Sequence, residues 1–430
     1  MDIKTVAKNL KPLWYLIKGR VRYPFLKRKL GENNPNVYFG LTDHPLDVDG
    51  SAFFSLFTIL RKMNRKKAAC VLQVEIKEQN SNSFVFTARG FDIYKIRDLD
   101  FEFAHNYKIT DKTPFKDLLL QIDFLKDDSY RLRLTKETIV PENITPMIAG
   151  NIQDSSLKIE YNELDDRYRL STKKITLEVF KENFCIRVYD KAGNLITETG
   201  GKTKNEFPTT MDSFPLGFAK EKTCKETFAV ESFVNYPGES IYGLGEGFNS
   251  VNKMGKTFGF WHFEGMGNTS GRNYKNIPFF MSTQGYGIFF NESRPITFWV
   301  GSREYCKTQV AVEGDLIDYY FFYGPSFKEI LNNYTELTGK ASVPPKWSFG
   351  TWMSRISYFS QKEVLETAKK LRELEIPSDV IHIDTGWFEK DWQCDWKFDK
   401  ERFPDPEGMF KEARAMGFRL SLWQAPYVMD

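Results

Sequence analysis

The chain is poor in the residues that build redox and metal sites. Its five cysteines, Cys70, Cys185, Cys224, Cys306 and Cys394, are scattered over 430 residues without a C-x-x-C pair, which leaves no zinc or dithiol motif. An odd, dispersed set reads as free thiols in a reducing compartment. Of the four histidines, His262 and His382 lie near chemistry-bearing segments, and neither has a second ligand at metal spacing such as H-E-x-x-H. No metal is expected. An excess of one charge is also absent: 60 basic against 57 acidic side chains leave +3, which argues against a nucleic-acid partner. Two basic runs, over 18–29 and 61–67, read as solvated loops or edges. Long apolar runs are missing too. The patch at 13–17 is too short for a signal-peptide core, and nothing later could span a bilayer. The expectation is a cytoplasmic protein with no membrane contact.

What is abundant is aromatic: 16% of residues, including 38 Phe and 20 Tyr, within an apolar share of 41%. Such side chains suit pleated surfaces. The first thirty residues fit a basic amphipathic helix, and from about Asn36 to Pro345 the chain reads mostly as strands. Residues 174–180 alternate with period two, as a half-buried strand does. Residues 184–189, the turn from Asp190 to Asn194 and the residues after Leu195 make a hairpin with Gly193 free to take a positive φ. Tyr130-Arg-Leu-Arg-Leu134 alternates in the same way, and 285–290 is another apolar strand. Many short strands with turn clusters imply an antiparallel β-sandwich. Gly243-Leu-Gly245-Glu-Gly247 resembles a phosphate loop, but Phe248 stands where the third glycine belongs, so a sandwich turn fits better.

Val343-Pro-Pro345 changes the texture, since two prolines cannot continue a strand ladder. The division expected is 1–345, a β-sandwich domain, and 346–430, the first β/α units of a (β/α)8 barrel. A strand is expected over 348–353. Ser360 and Glu363 form a capping box opening a helix with Val364, Leu365, Ala368, Leu371 and Leu374 on one face, ended by Pro377. Val380–Ile383 is a second strand, 407–416 a helix stopped by Gly417, and 418–423 a third strand. This β-α-β-α-β order is a parallel sheet. Such a barrel takes roughly 250 residues, and about 85 follow Pro345; the expectation is an enzyme fragment ending after about three strands.

Ligands of such sheets lie beyond the carboxyl ends of the strands. Asp384 follows the second strand directly, and Trp423 and Pro426 close the third. A carboxylate there can accept from two sugar hydroxyls, and an indole can stack on the ring. The bland alternatives are an N-cap for Asp384 and core packing for Trp423. His382, in mid-strand, reads as a packed core residue.

From about Ser240 onward the chain resembles glycoside hydrolase family 31, the α-glucosidase and α-xylosidase family. The resemblance rests on Tyr242-Gly-Leu-Gly-Glu246, Tyr274-Lys-Asn-Ile-Pro-Phe279, Leu337-Thr-Gly339, Pro344-Pro-Lys-Trp-Ser-Phe-Gly350, Ile381-His-Ile-Asp384, Phe403-Pro-Asp-Pro-Glu-Gly408 and Trp423-Gln-Ala-Pro-Tyr427. It implies a galactose-mutarotase-like sandwich before the barrel. It also implies a retaining exo-glycosidase with an aspartate nucleophile and an aspartate acid/base, their carboxyls about 5–5.5 Å apart. In the family these follow the fourth and sixth barrel strands, so no catalytic residue is assigned within 1–430. Carried over as substrate-binding are Asp384, which matches an aspartate bonded to sugar hydroxyls, Trp423, which matches a pocket wall, and Glu264, in the loop projected over the site. Thr385 and Gly386 replace the Cys-Phe of familiar α-xylosidases and are expected to open the pocket. The substrate expected is an oligosaccharide ending in α-linked xylose or glucose. No cofactor is expected, and a homo-oligomer of the full-length enzyme is compatible with all of this. The rival expectation is a non-catalytic carbohydrate-binding protein or an inactive enzyme remnant.

Overall fold

The computed structural model describes residues 66–424, apart from 92–93, 98–99, 104–114, 143–144, 201–215, 222–226, 248, 261–274, 303–304 and 391–393. The helix expected in the first thirty residues, the basic run 18–29, His262, Glu264 and Pro426 lie outside the described residues. The chain divides into two compact units between Lys340 and Ala341.

Among the described residues of the first unit, eighteen strands connect into one assembly, with antiparallel pairing throughout its registers. Lys66–Gln79 pairs with Ser83–Phe91, which pairs with Phe115–Lys126. Ser129–Thr135 lies between Phe115–Lys126 and Leu316–Tyr323. Thr227–Val234 joins Gly217–Glu221 to Lys307–Glu313. The aromatic share fills the core, where Phe86, Tyr130, Phe280, Phe298 and Tyr319 are all fully buried. The expected hairpin is present: Ile186–Asp190 pairs with Leu195–Thr199, Gly193 sits at φ 84°, and Asp190 Oδ1 accepts from the Asn194 N–H at 2.8 Å.

Two expectations for this unit need correction. Ser129–Thr135 is buried at every position, because Arg131 and Arg133 find carboxylate partners on neighbouring strands rather than water. The run to Pro345 also contains a helix, Phe327–Thr338, opened by a capping box between Ser326 and Glu329 and packed through Ile330 and Leu337. The glycines after Ile241 do form a turn: Gly243 and Gly245 take φ 115° and 77°. A Cβ on Gly245 would overlap the Lys275 carbonyl, so both the angle and the close approach call for glycine.

Among its described residues the second unit holds three parallel strands, β1 Trp352–Ser354, β2 Val380–Ile383 and β3 Arg419–Leu422. Met353 pairs with Ile381 and Ile381 with Leu420. Helix α1, Gln361–Glu373, connects β1 to β2, and α2, Pro406–Ala415, connects β2 to β3. Val364 and Ala368 of α1 and Met409 and Ala413 of α2 meet Ile381 and Ile383 in a dry core, each large side chain contributing about 1.5–3 kcal/mol. Gly417 stops α2 at φ 82°. Three details differ from expectation. The first strand is shorter, because Lys346–Phe349 coils into a 3₁₀ turn stopped by the Gly350 N–H on the Trp347 carbonyl. Leu374 is 56% exposed, since α1 ends at Glu373 and Leu374 is its cap. The capping box at Ser360 is only half formed: Ser360 Oγ accepts from the Glu363 N–H at 3.2 Å, whereas the Glu363 carboxylate takes the Phe359 N–H. Among the described residues, no helix is long and apolar enough to cross a membrane.

Candidate functional site

The carboxyl ends of β2 and β3 bring the sequence candidates of the second unit together. Asp384 leaves β2 half-buried, at φ −80° and ψ −160°, and caps the 3₁₀ turn Thr385–Trp387. Its Oδ1 accepts from the Thr385 N–H at 2.7 Å. Oδ2 has no hydrogen-bond partner among the described residues, so the cap occupies one oxygen and leaves the other. The N-cap alternative and the ligand-binding reading are therefore compatible within one side chain.

Thr385 and Gly386 are both buried. The Gly386 N–H donates to Ser357 Oγ at 2.6 Å. A Cβ on Gly386 would overlap that oxygen and lie 2.9 Å from the Tyr358 carbonyl. The space expected to open at this glycine is taken by the Ser357–Tyr358 backbone and side chain.

Trp423 is half-buried against the core of the unit. Its N–H donates to the Ile383 carbonyl at 2.8 Å, and its carbonyl accepts from Trp387 Nε1 at 2.9 Å. The ring meets Phe388 edge-on at 6.1 Å. These are packing contacts, and they tie the end of β3 to the turn after β2. His382 is half-buried, with Nδ1 3.1 Å from Ser421 Oγ on the adjacent strand, so it bridges strands rather than filling the core. Asp395 accepts from the Lys397 N–H in a surface turn. Among the described residues, no group of His, Cys, Asp and Glu could hold a metal ion.

Sequence reasoning missed Ser357, Trp387 and Arg402. Arg402 donates from Nη1 to the Gly386 carbonyl at 2.8 Å and from Nη2 to the Phe388 carbonyl at 2.5 Å. Loop side chains obey no period, and the only local cue was that Arg402 directly precedes the Phe403-Pro-Asp-Pro motif.

Two protein-family models match the chain: the glycosyl hydrolase 31 N-terminal galactose mutarotase-like domain over 119–298, and the glycosyl hydrolases family 31 TIM-barrel domain over 341–430. The α-xylosidase XylQ of Lactiplantibacillus pentosus is 42% identical over 66% of this chain and 35% of its own length. An α-xylosidase of Saccharolobus solfataricus is 30% identical over 71% of this chain and 40% of its own. The chain thus spans well under half the length of these relatives. Among solved structures, a GH31 α-xylosidase from a soil metagenome, complexed with xylose, superposes with a TM-score of 0.62 at 23% identity. That superposition covers 81% of this chain and 46% of the other. At such identity the likeness speaks for the fold.

Proposed function

This chain belongs to glycoside hydrolase family 31, and from that premise we propose that it forms the glycone-binding part of a retaining exo-α-glycosidase acting on terminal α-linked xylose or glucose. The observation that carries the reading is the divided carboxylate of Asp384. It stands at the carboxyl end of a parallel strand, where such folds collect ligands, with Oδ1 spent on the turn and Oδ2 left over. A carboxylate oxygen there suits a sugar hydroxyl, which it binds as a charge-assisted hydrogen bond. Trp423, at the end of the adjacent strand, is the wall beside it, and Thr385 and Gly386 carry the turn on which Asp384 sits; Glu264 is a further sugar contact on the family resemblance alone. Hydrolysis proceeds through two further aspartates, one kept ionised as nucleophile and one protonated as acid/base. Neither is assigned within residues 1–430, so this chain binds sugar without cleaving it.

The test uses the full 430-residue chain. Methyl α-D-xyloside and methyl α-D-glucoside are titrated against wild type and Asp384→Ala, followed by ligand-observed NMR. Weak binding by wild type is expected, with a loss of about tenfold or more in the variant, the scale of one hydrogen bond to a charged group. Equal affinity in both proteins refutes the role of Asp384. Release of p-nitrophenol from the α-xyloside or α-glucoside by the purified chain refutes the assignment of the cutting groups outside it.

A further inference from the structure

The turn that carries Asp384 is gripped by a single short segment. Its three successive carbonyls are all bonded from residues 399–402. Arg402 Nη1 takes that of Gly386, the Asp399 N–H takes that of Trp387 at 3.0 Å, and Arg402 Nη2 takes that of Phe388. The segment is itself anchored. The Arg402 N–H donates to Asp399 Oδ1 at 2.8 Å, and Arg402 Nε faces Asp399 Oδ2 at 3.4 Å. The Arg402 carbonyl accepts from the Gln361 N–H, at the first residue of α1. From the other side, Ser357 Oγ holds the Gly386 N–H. A planar guanidinium is suited to this task, because its fork satisfies two carbonyls spaced two residues apart while an ammonium satisfies one well.

We infer that Arg402 is the positioning residue for Asp384. By fixing the carbonyls of 386 and 388 it fixes the 3₁₀ turn, and so fixes the direction in which Asp384 Oδ2 presents its lone pairs to a sugar hydroxyl. Arg402 acts through the turn, and the inference rests on the reading of Asp384 as a sugar-binding group. Neither periodicity nor strand order points to this arginine; it follows from where its two terminal nitrogens lie.

The experiment compares wild type, Arg402→Ala, Arg402→Lys and Asp384→Ala as full chains. Three quantities are read: amide hydrogen exchange over 384–388, affinity for methyl α-D-xyloside, and recovery of affinity on adding low-millimolar guanidinium ion. Arg402→Ala is expected to expose the 384–388 amides and to weaken sugar binding about tenfold, the scale of a misplaced contact group. Arg402→Lys is expected to fall between it and wild type. Guanidinium should restore part of the affinity of Arg402→Ala and none of that of Asp384→Ala; a purely structural role does not produce this selective rescue. Wild-type affinity in Arg402→Ala alongside loss in Asp384→Ala overturns the inference and leaves the reading of Asp384 standing. Exchange over 384–388 unchanged by either Arg402 variant overturns it whatever the sugar does. If Asp384→Ala itself binds as wild type, the reading falls and the inference with it. Should Arg402→Ala fail to fold, Arg402→Lys carries the same comparison, and wild-type exchange and affinity in it overturn the proposal.

Discussion

At the scale of a single residue, Glu231 has the most to answer for. It is fully buried on Thr227–Val234, where Oε1 accepts from the Ser232 N–H at 2.8 Å and Oε2 lies 3.4 Å from the Tyr319 hydroxyl. Loss of hydration pushes its carboxyl up to about 8, against smaller opposing effects of those two hydrogen bonds and of Lys307. The folded protein therefore keeps a proton that the unfolded chain loses near 4.5. Between those values the unfolded state binds fewer protons, so stability falls as pH rises through the window and levels off above it. Glu231→Gln is neutral at every pH and lacks this fall. Its stability relative to wild type should climb from pH 5 to pH 8 by about 4 kcal/mol at most, an order-of-magnitude figure. Urea unfolding at several pH values measures the difference, and parallel pH profiles for the two proteins would sink the idea.

At the scale of an element, α1 shows what a local pattern can and cannot specify. Ser360 caps the helix through the Glu363 N–H. Ser360→Ala should cost about 1 kcal/mol. Glu363→Gln should cost under about 0.5 kcal/mol, because it keeps an acceptor for the Phe359 N–H and loses only a half-exposed ion pair with Arg355. Urea unfolding of the two variants tests the order, and a larger loss in Glu363→Gln would show that the ion pair, not the cap, starts the helix. The cap residue and the stripe of Val364, Leu365, Ala368 and Leu371 were legible, because both depend on neighbours three and four positions away. The partner of the Glu363 carboxylate was not, since Phe359 and Arg355 lie in a loop without a period. The helix end was misjudged for a similar reason. Proline at 377 signals a stop, but α1 had already closed at Glu373, with Glu375 at φ 53°.

At the scale of the whole molecule, legibility declines with the distance between partners. The parallel order of β1 to β3 could be read because each strand announces itself, and with that order came the position of Asp384. Arg402 could not be read, because its value lies in carbonyls sixteen and fourteen residues away. A wider gap concerns Tyr130-Arg-Leu-Arg-Leu134, whose alternation suggests one face in water. Instead Arg131 donates from Nε and Nη2 to both oxygens of Asp318, 187 positions later, at 2.8 and 2.7 Å. Asn291 Nδ2 donates to Asp318 Oδ2 as well, at 2.9 Å. Both charged side chains are under a tenth exposed. Desolvating two charges is costly, and their mutual bonds are the main offset, with Asn291 on Asp318 and Glu142 on Arg131 adding to it, so the pair should tolerate joint removal better than single removal. Asp318→Ala, which removes the buried bidentate partner of the guanidinium, is expected to cost about 3–5 kcal/mol. The double variant Arg131→Met, Asp318→Leu should lose only about 1–2 kcal/mol, chiefly from the hydrogen bond that Asn291 gives up. Urea unfolding of wild type, the single and the double variant provides the comparison. A double variant as unstable as Asp318→Ala would mean that the strands need the ion pair itself, and that apolar packing cannot replace it at this crossing of distant chain segments.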